Sequence, residues 1–275
     1  MLILSPVLVA SPPAGSPNAP LVGWRNIVTV TNIAADFEAM GYPATNLANP
    51  STAIKWVGAG WEDDSPPLTE QYVTVTTGTL DPIDYLAVAR HNFGSGGMAV
   101  SVEVDEGDSV GFVAVTDPVV PADDSPLLFR FEVGPYVAVR LKIEAGSEAP
   151  EAAVVYVGLL LALQRNIYVG HRVLPYNMVT RVTNGRSESG QFLGRIVTGQ
   201  YVESGLDLQN ITPAFYRTHM VPWLRAAVES PWFFAWRPGD HPTEVGFCSS
   251  TSEPNMTNSR SNGMVAVSVS MTGVA

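Results

Sequence analysis

Hydrophobic and polar positions alternate along most of this chain in short runs, the period of half-buried strands. From residue 24 to about residue 163 the pattern is β throughout. Strands are predicted at residues 27–31, 55–57, 71–75, 84–89, 98–104, 110–115, 127–133, 136–144 and 153–161, with Gly, Pro, Asn and Asp clusters between them. Such spacing predicts a sandwich or jelly roll. Residues 1–10 alternate weakly and read as a strand. The Pro-rich stretch that follows, residues 11–20 (SPPAGSPNAP), cannot carry a ladder, so this strand could pair with either half of the chain.

After residue 163 the pattern changes. Residues 179–183 and 194–203 read as strands of a hairpin, with Asn184–Gly185 as a strong turn dipeptide between them. The long helical pattern covers residues 212–229. Thr212 suits its cap and Pro213 its first position, where the missing N–H costs nothing. Phe215, His219, Trp223 and Ala227 form one row, with Tyr216, Met220, Leu224 and Val228 one step round; together they make a wide apolar stripe. Pro222 predicts a kink or break. Ser230–Pro231 ends the helix, and residues 232–236 (WFFAW) have the bulk of a buried strand. A turn and a strand near Phe247–Cys248 follow, and residues 264–271 alternate strictly.

Composition supports a folded β protein. The chain has 275 residues, 46% of them hydrophobic and 15% charged, enough for a real core. Its 24 Gly and 22 Pro have no period, as in chains of many short strands and turns. The net charge of −11 is uneven: residues 1–160 hold 6 Lys+Arg against 19 Asp+Glu, and residues 161–275 hold 9, all Arg, against 7. An acidic first part argues against a specific nucleic-acid partner, because phosphate binding needs clustered base. The single Cys248 excludes an internal disulfide and a Cys-based metal site. The start, MLILSPVLVA, lacks a basic region, and the longest apolar run, residues 152–163, is short of the roughly 20 residues a spanning helix needs. No membrane insertion is expected, and synthesis is expected in the cytoplasm.

The order of several pieces carries a resemblance. A Gly41-Tyr42-Pro43-Ala44-Thr45-Asn46-Leu47 loop precedes Trp56. Tyr72-Val73-Thr74-Val75, residues 84–89 with His91-Asn92, and late Tyr136 to Leu141 follow. This order resembles the discoidin-like (galactose-binding-like) jelly rolls of phage tail proteins. Trp56 and Arg140 match a core-edge Trp and a late-strand Arg of that family. In the second half, GRSESGQFLG at residues 185–194, WFFAWRP at 232–238, VGFC at 245–248 and NGM at 262–264 resemble phage tail-tip proteins near the distal tail proteins. The implied fold is mainly β: a discoidin-like jelly-roll sandwich at residues 24–163 and a tail-tube-like β domain with one helix at 164–275. Residues 1–23 are then an N-terminal strand and linker.

Candidate chemistry is sparse. His91, beside Arg90 and Asn92, has no acidic relay partner and no Gly-x-Ser-x-Gly elbow, and reads as a loop histidine bonded to backbone. Glu62-Asp63-Asp64 and Asp105-Glu106-Gly107-Asp108 lack the alternate-position spacing of a calcium loop. Gly94–Gly97 opens no helix and has no following Lys-Ser/Thr, so it is a tight turn and no phosphate loop. No enzyme activity, metal or cofactor is expected. Tyr42, Trp56 and Trp61 could form an aromatic sugar platform at one rim; Trp56 as a core residue is the alternative. Arg186, Glu188, Phe192 and Leu193, on a polar connection too long for a tight turn, are the expected subunit interface. The resemblance implies a structural component of a phage tail tip or baseplate, in the virion: a ring of six copies continuing the tail tube between other tail proteins above and below. The alternative is a carbohydrate-binding module that attaches to a host-surface glycan.

Overall fold

The computed structural model describes residues 1–10, 16–58, 69–78, 81–167, 171–258 and 263–274. Its first strands are β1 (Leu2–Leu4), β2 (Leu21–Gly23), β3 (Ile33–Ala35), β4 (Trp56–Val57), β5 (Glu70–Thr76) and β6 (Ile83–His91). Next come β7 (Val100–Asp105), β8 (Val113–Ala114), β9 (Leu127–Gly134), β10 (Ala138–Glu144), β11 (Glu151–Gly158) and β12 (Leu161–Ala162). The last are β13 (Met178–Arg186), β14 (Phe192–Ile211), β15 (Trp232–Ala235), β16 (Val245–Ser250), β17 (Asn255–Asn258) and β18 (Val265–Val274).

They form three sheets. Sheet I has the order β1-β9-β6-β11-β4, and sheet II the order β3-β5-β10-β7-β8. Their facing side chains, among them Trp56, Val75, Leu86, Phe93, Phe129, Leu141 and Val155, are buried in one core, which makes the expected jelly-roll sandwich. Sheet III runs β12-β2-β15-β16-β18-β14-β13, with β17 also paired to β18. Residues 21–23 and 161–162, from outside the range 164–275, thus belong to sheet III and pair with each other. The N-terminal strand β1 pairs parallel to β9 in the sandwich.

The outer face of sheet I packs on sheet III. Tyr85, Ala87, Leu128, Val154 and Tyr156 meet Leu21, Phe233, Val245 and Phe247 in a further apolar cluster. Strands β6 and β11 are therefore covered on both faces, which explains their unbroken apolar text. The far face of sheet III holds the helix, with Trp223 edge-on to Trp232 at 5.3 Å between ring centroids.

Local differences from the expected elements have local causes. Residues 27–31 are no strand: Asn26 Oδ1 accepts from Val28 N at 3.0 Å, and Asn32 donates to Ile27 O at 2.9 Å. Asparagine side chains there take the bonds a ladder would use. After β1 the chain turns into a short helix α1 (Pro6–Ala10), with Ser5 Oγ accepting from Val7 N at 3.3 Å. The run 110–115 keeps only β8, since Ser109 and Gly111 have φ of +69° and +83°. The apolar run 152–163 divides where Leu160 N donates to Asp84 Oδ1 at 2.7 Å and the chain crosses from sheet I to sheet III. Arg140, on β10, lies 4.0 Å from the centroids of both the Tyr72 and Phe112 rings and bonds Glu103 at 2.6 Å.

The helix is continuous across Pro222. It comprises α2 (Pro213–Phe215), a π turn (Tyr216–Met220) and α3 (Val221–Glu229). Pro222 has no N–H, and the π turn absorbs this with a bond from Val221 N to Tyr216 O, five residues back. Thr212 caps the start as expected, accepting from Phe215 N at 3.4 Å.

Candidate functional site

β14 is 20 residues long, and its halves have different partners. Val202 to Ile211 pair with β18; Phe192 to Val202 pair with β13. Beyond Tyr201 the β13–β14 pair stands alone as a ribbon, and none of its residues from 178 to 201 is buried. Asn184 and Gly185 are ladder residues opposite Arg195 and Gly194, so the turn dipeptide of the sequence is not the turn. The reversal falls at Ser187–Gln191, where Ser187 N donates to Gln191 O at 2.9 Å and Gly190 takes a φ of +83°.

Apolar groups are concentrated on this ribbon. Phe192 is 64% exposed, Leu193 69%, Ile196 68% and Val197 55%. Arg186 sits opposite Phe192, and Glu188 lies in the turn. Among the described residues neither forms an ion pair. Arg195 bonds Asn184 at 2.8 Å, and the Arg181 guanidinium lies 4.9 Å from the Tyr201 ring. The ribbon's outer strand is an edge. Sheets I and II end in strands of two or three residues, β1, β4, β3 and β8, and sheet III ends on one side in the two-residue β12. Short edge strands are a usual guard against unwanted pairing. The nine-residue β13 lacks that guard. A second exposed edge, four-residue β17, lies on the far flank of β18.

Of the two readings of the candidate aromatic rim, the structure takes the core alternative at Trp56. Trp56 is fully buried, its Nε1–H donating to Phe37 O at 3.0 Å, so its face packs in the sandwich core and offers nothing to a sugar. Tyr42 is 44% exposed. Trp61 and Glu62-Asp63-Asp64 lie outside the described residues.

At the end of the sandwich a cleft of about 890 Å³ is lined by Lys55, Arg90, Asn92, Asp123, Asp124, Glu148 and Glu151. His91 beside it is structural. Its Nε2–H donates to Ser125 O at 2.9 Å and its Nδ1 accepts from Phe93 N at 3.2 Å, so both nitrogens are used. Burial pulls its pKa down to about 4, so the ring is neutral. Asn92 bridges the neighbouring loop, donating to Ala149 O at 2.8 Å and accepting from Glu151 N at 2.9 Å. These side chains lock the loops.

A polar cavity of about 530 Å³ beside β14 was not anticipated from the sequence; Gln164, Arg165, Asn166, Asp207, Gln209 and Asn210 line it. The one hint in the text was Gln209-Asn210, which breaks the alternation of β14. Among the described residues no group of three metal-ligating side chains gathers, and no helix is long and apolar enough to cross a membrane.

No protein-family model and no curated protein matches this chain. Solved structures do. Chitosan-binding module 1 of a chitosanase/glucanase from Paenibacillus sp. IK-5 is 13% identical, with 48% of this chain and 98% of that one covered and a TM-score of 0.40. A family 32 carbohydrate-binding module from Clostridium perfringens, in complex with GalNAc-β-1,3-galactose, is 15% identical over 46% and 93%, with a TM-score of 0.37. The family 32 module of AlyQ, in complex with 4,5-unsaturated mannuronic acid, is 13% identical over 49% and 96%, with a TM-score of 0.38. Each of these alignments covers about half of this chain.

Proposed function

We propose that this chain is a structural component of a phage tail tip that assembles with copies of itself into a ring, carrying its sandwich on the outside. The observation that carries the reading is the pair of exposed edges on sheet III. β17, β18, β14 and β13 are each antiparallel to the next, so β17 runs opposite to β13. A neighbour's β17 laid along β13 therefore continues the antiparallel ladder. The two surfaces differ, so the contact is head-to-tail and can close into a ring. Arg186, Glu188, Phe192 and Leu193 at the ribbon's tip then meet the neighbour and lose their exposure. The number six, and the tail proteins above and below, come from the resemblance alone.

The test is the double variant Arg186→Glu with Phe192→Ser, measured by light scattering on a sizing column. Both positions are exposed, so the fold is expected to survive and circular dichroism to stay unchanged. The assembly is expected to fall to monomers. A double variant that assembles normally would remove the ribbon tip from the contact.

Attachment to a saccharide is the second reading. It is favoured by the open polar cavity beside β14. A glycan array on the intact chain tests it: reproducible hits support it, and a blank array counts against it.

A further inference from the structure

We propose that the cavity beside β14 is a binding site for a neutral saccharide. This inference rests on the second reading above and is independent of ring assembly. It starts from a bulge. Leu206 and Leu208 point inward and Asp207 and Gln209 outward, as a regular strand requires. The next residue, Asn210, would point inward, but the register shifts between Leu208 and Ile211 and Asn210 takes a φ of +59°. Asparagine tolerates that left-handed backbone better than most residues. The buried position passes to Ile211, which is 0% exposed, and two consecutive carboxamides are presented to the cavity. A bulge of this kind re-aims side chains at a chosen surface.

The opposite wall is fixed. Gln164 Oε1 accepts from Thr212 N at 2.9 Å, and Arg165 Nε donates to Asn210 O at 3.1 Å. Asp207 Oδ1 accepts from Ser268 Oγ at 2.5 Å. Among the described residues the side-chain amides of Gln209 and Asn210 have no hydrogen-bond partner, although the walls around them are tied down.

Lining chemistry decides the ligand class. Each carboxamide offers two donors and an acceptor, the pairing that adjacent sugar hydroxyls need. The cavity holds four carboxamides, of which Gln164 and Asn166 also bond Thr212 N and Ser16 Oγ, with one Arg and one Asp whose charges cancel. The sandwich cleft sets four carboxylates against one Lys and one Arg, a surplus that suits a cation better than a neutral ligand. A volume of about 530 Å³ lies within the range of about 300–1,000 Å³ usual for small-molecule sites.

The experiment is photo-crosslinking of the full chain with diazirine-bearing glucose, galactose and N-acetylglucosamine, the labelled peptides being mapped by mass spectrometry. Label is expected on residues 164–166 and 207–210 and to be competed away by the free sugar. Asn210→Gly keeps the left-handed backbone and removes the amide. It is expected to reduce competable labelling about tenfold, the loss of one or two hydrogen bonds, and to leave the sizing profile unchanged. Label competed only at the loops around Arg90 and Asp124 would overturn this site while sustaining saccharide binding. An absence of any competable label would overturn both. Full labelling of Asn210→Gly would also overturn the proposal.

Discussion

Asp84 shows how one residue can join the two halves of this molecule at a cost. It is 8% exposed, and its Oδ1 accepts from Leu160 N at the point where the chain leaves sheet I. Burial pushes its pKa up to about 6, against the opposing pull of the Leu160 N–H and of the Arg130 charge. A carboxyl whose folded pKa is raised holds its proton more tightly folded than unfolded. Its contribution to stability is full at low pH and declines as pH rises through the window from its ordinary value of about 4 to about 6. Asp84→Asn keeps the acceptor and cannot ionise. It is expected to raise the melting temperature at pH 7, by the equivalent of about 3 kcal/mol, and to leave it nearly unchanged at pH 4. Melting curves at the two pH values check this; a destabilised variant at pH 7 would mean that attraction to Arg130 outweighs the burial. The backbone bonding of His91 was legible from sequence, because no relay partner lay near it, but the residue ends strand β6 and is not in a loop. For Trp56 the sequence left rim and core both open, since a strand of two residues has no period to reveal which way it faces, and the structure takes the core.

At the scale of elements, the helix at residues 213–229 is legible in its start and end but not in its phase. The sequence stripe treats His219 and Val228 as equals of Met220 and Trp223. In the structure Met220, Trp223, Leu224 and Ala227 are buried, while Val228 is 53% exposed and His219 is exposed. The π turn adds a residue to one turn, so Met220 takes the inward place that regular spacing gives to His219. Trp223→Ala is expected to cost about 3–5 kcal/mol, because a fully buried aromatic leaves a cavity against Trp232. Val228→Ala is expected to change stability by less than about 0.5 kcal/mol. Urea denaturation of both variants tests the phase, and equal losses would contradict it. The ribbon follows the same logic. Its strands were foreseen, but its length and turn were not, because Asn184–Gly185 carries a turn signal that ladder pairing overrides.

For the whole molecule, the sequence separates a sandwich from a second β unit, and the structure joins them through a shared apolar layer. The continuous apolar runs of β6 and β11 mark strands buried on both faces, but periodicity does not name what covers the second face, so the layer could not be read from it. Tyr85, Val154 and Tyr156 on sheet I meet Phe233 and Phe247 on sheet III, with Tyr156 edge-on to both rings at 5.4 and 5.8 Å. β2, from the N-terminal part of the chain, pairs with β15 within sheet III. A piece ending near residue 163 would expose this face and leave β2 without β15. The two units are therefore expected to unfold together, in a single calorimetric transition. Phe247, 4% exposed, lies at the centre of the layer. Phe247→Ser replaces a buried ring by a hydroxyl and a cavity, a loss of at least about 3 kcal/mol. Because the layer belongs to both units, the whole transition should move to lower temperature without splitting. If calorimetry instead resolves two transitions and the variant moves only one, the layer is a contact between independent domains, and the ring would have to be reconsidered as sheet III acting alone.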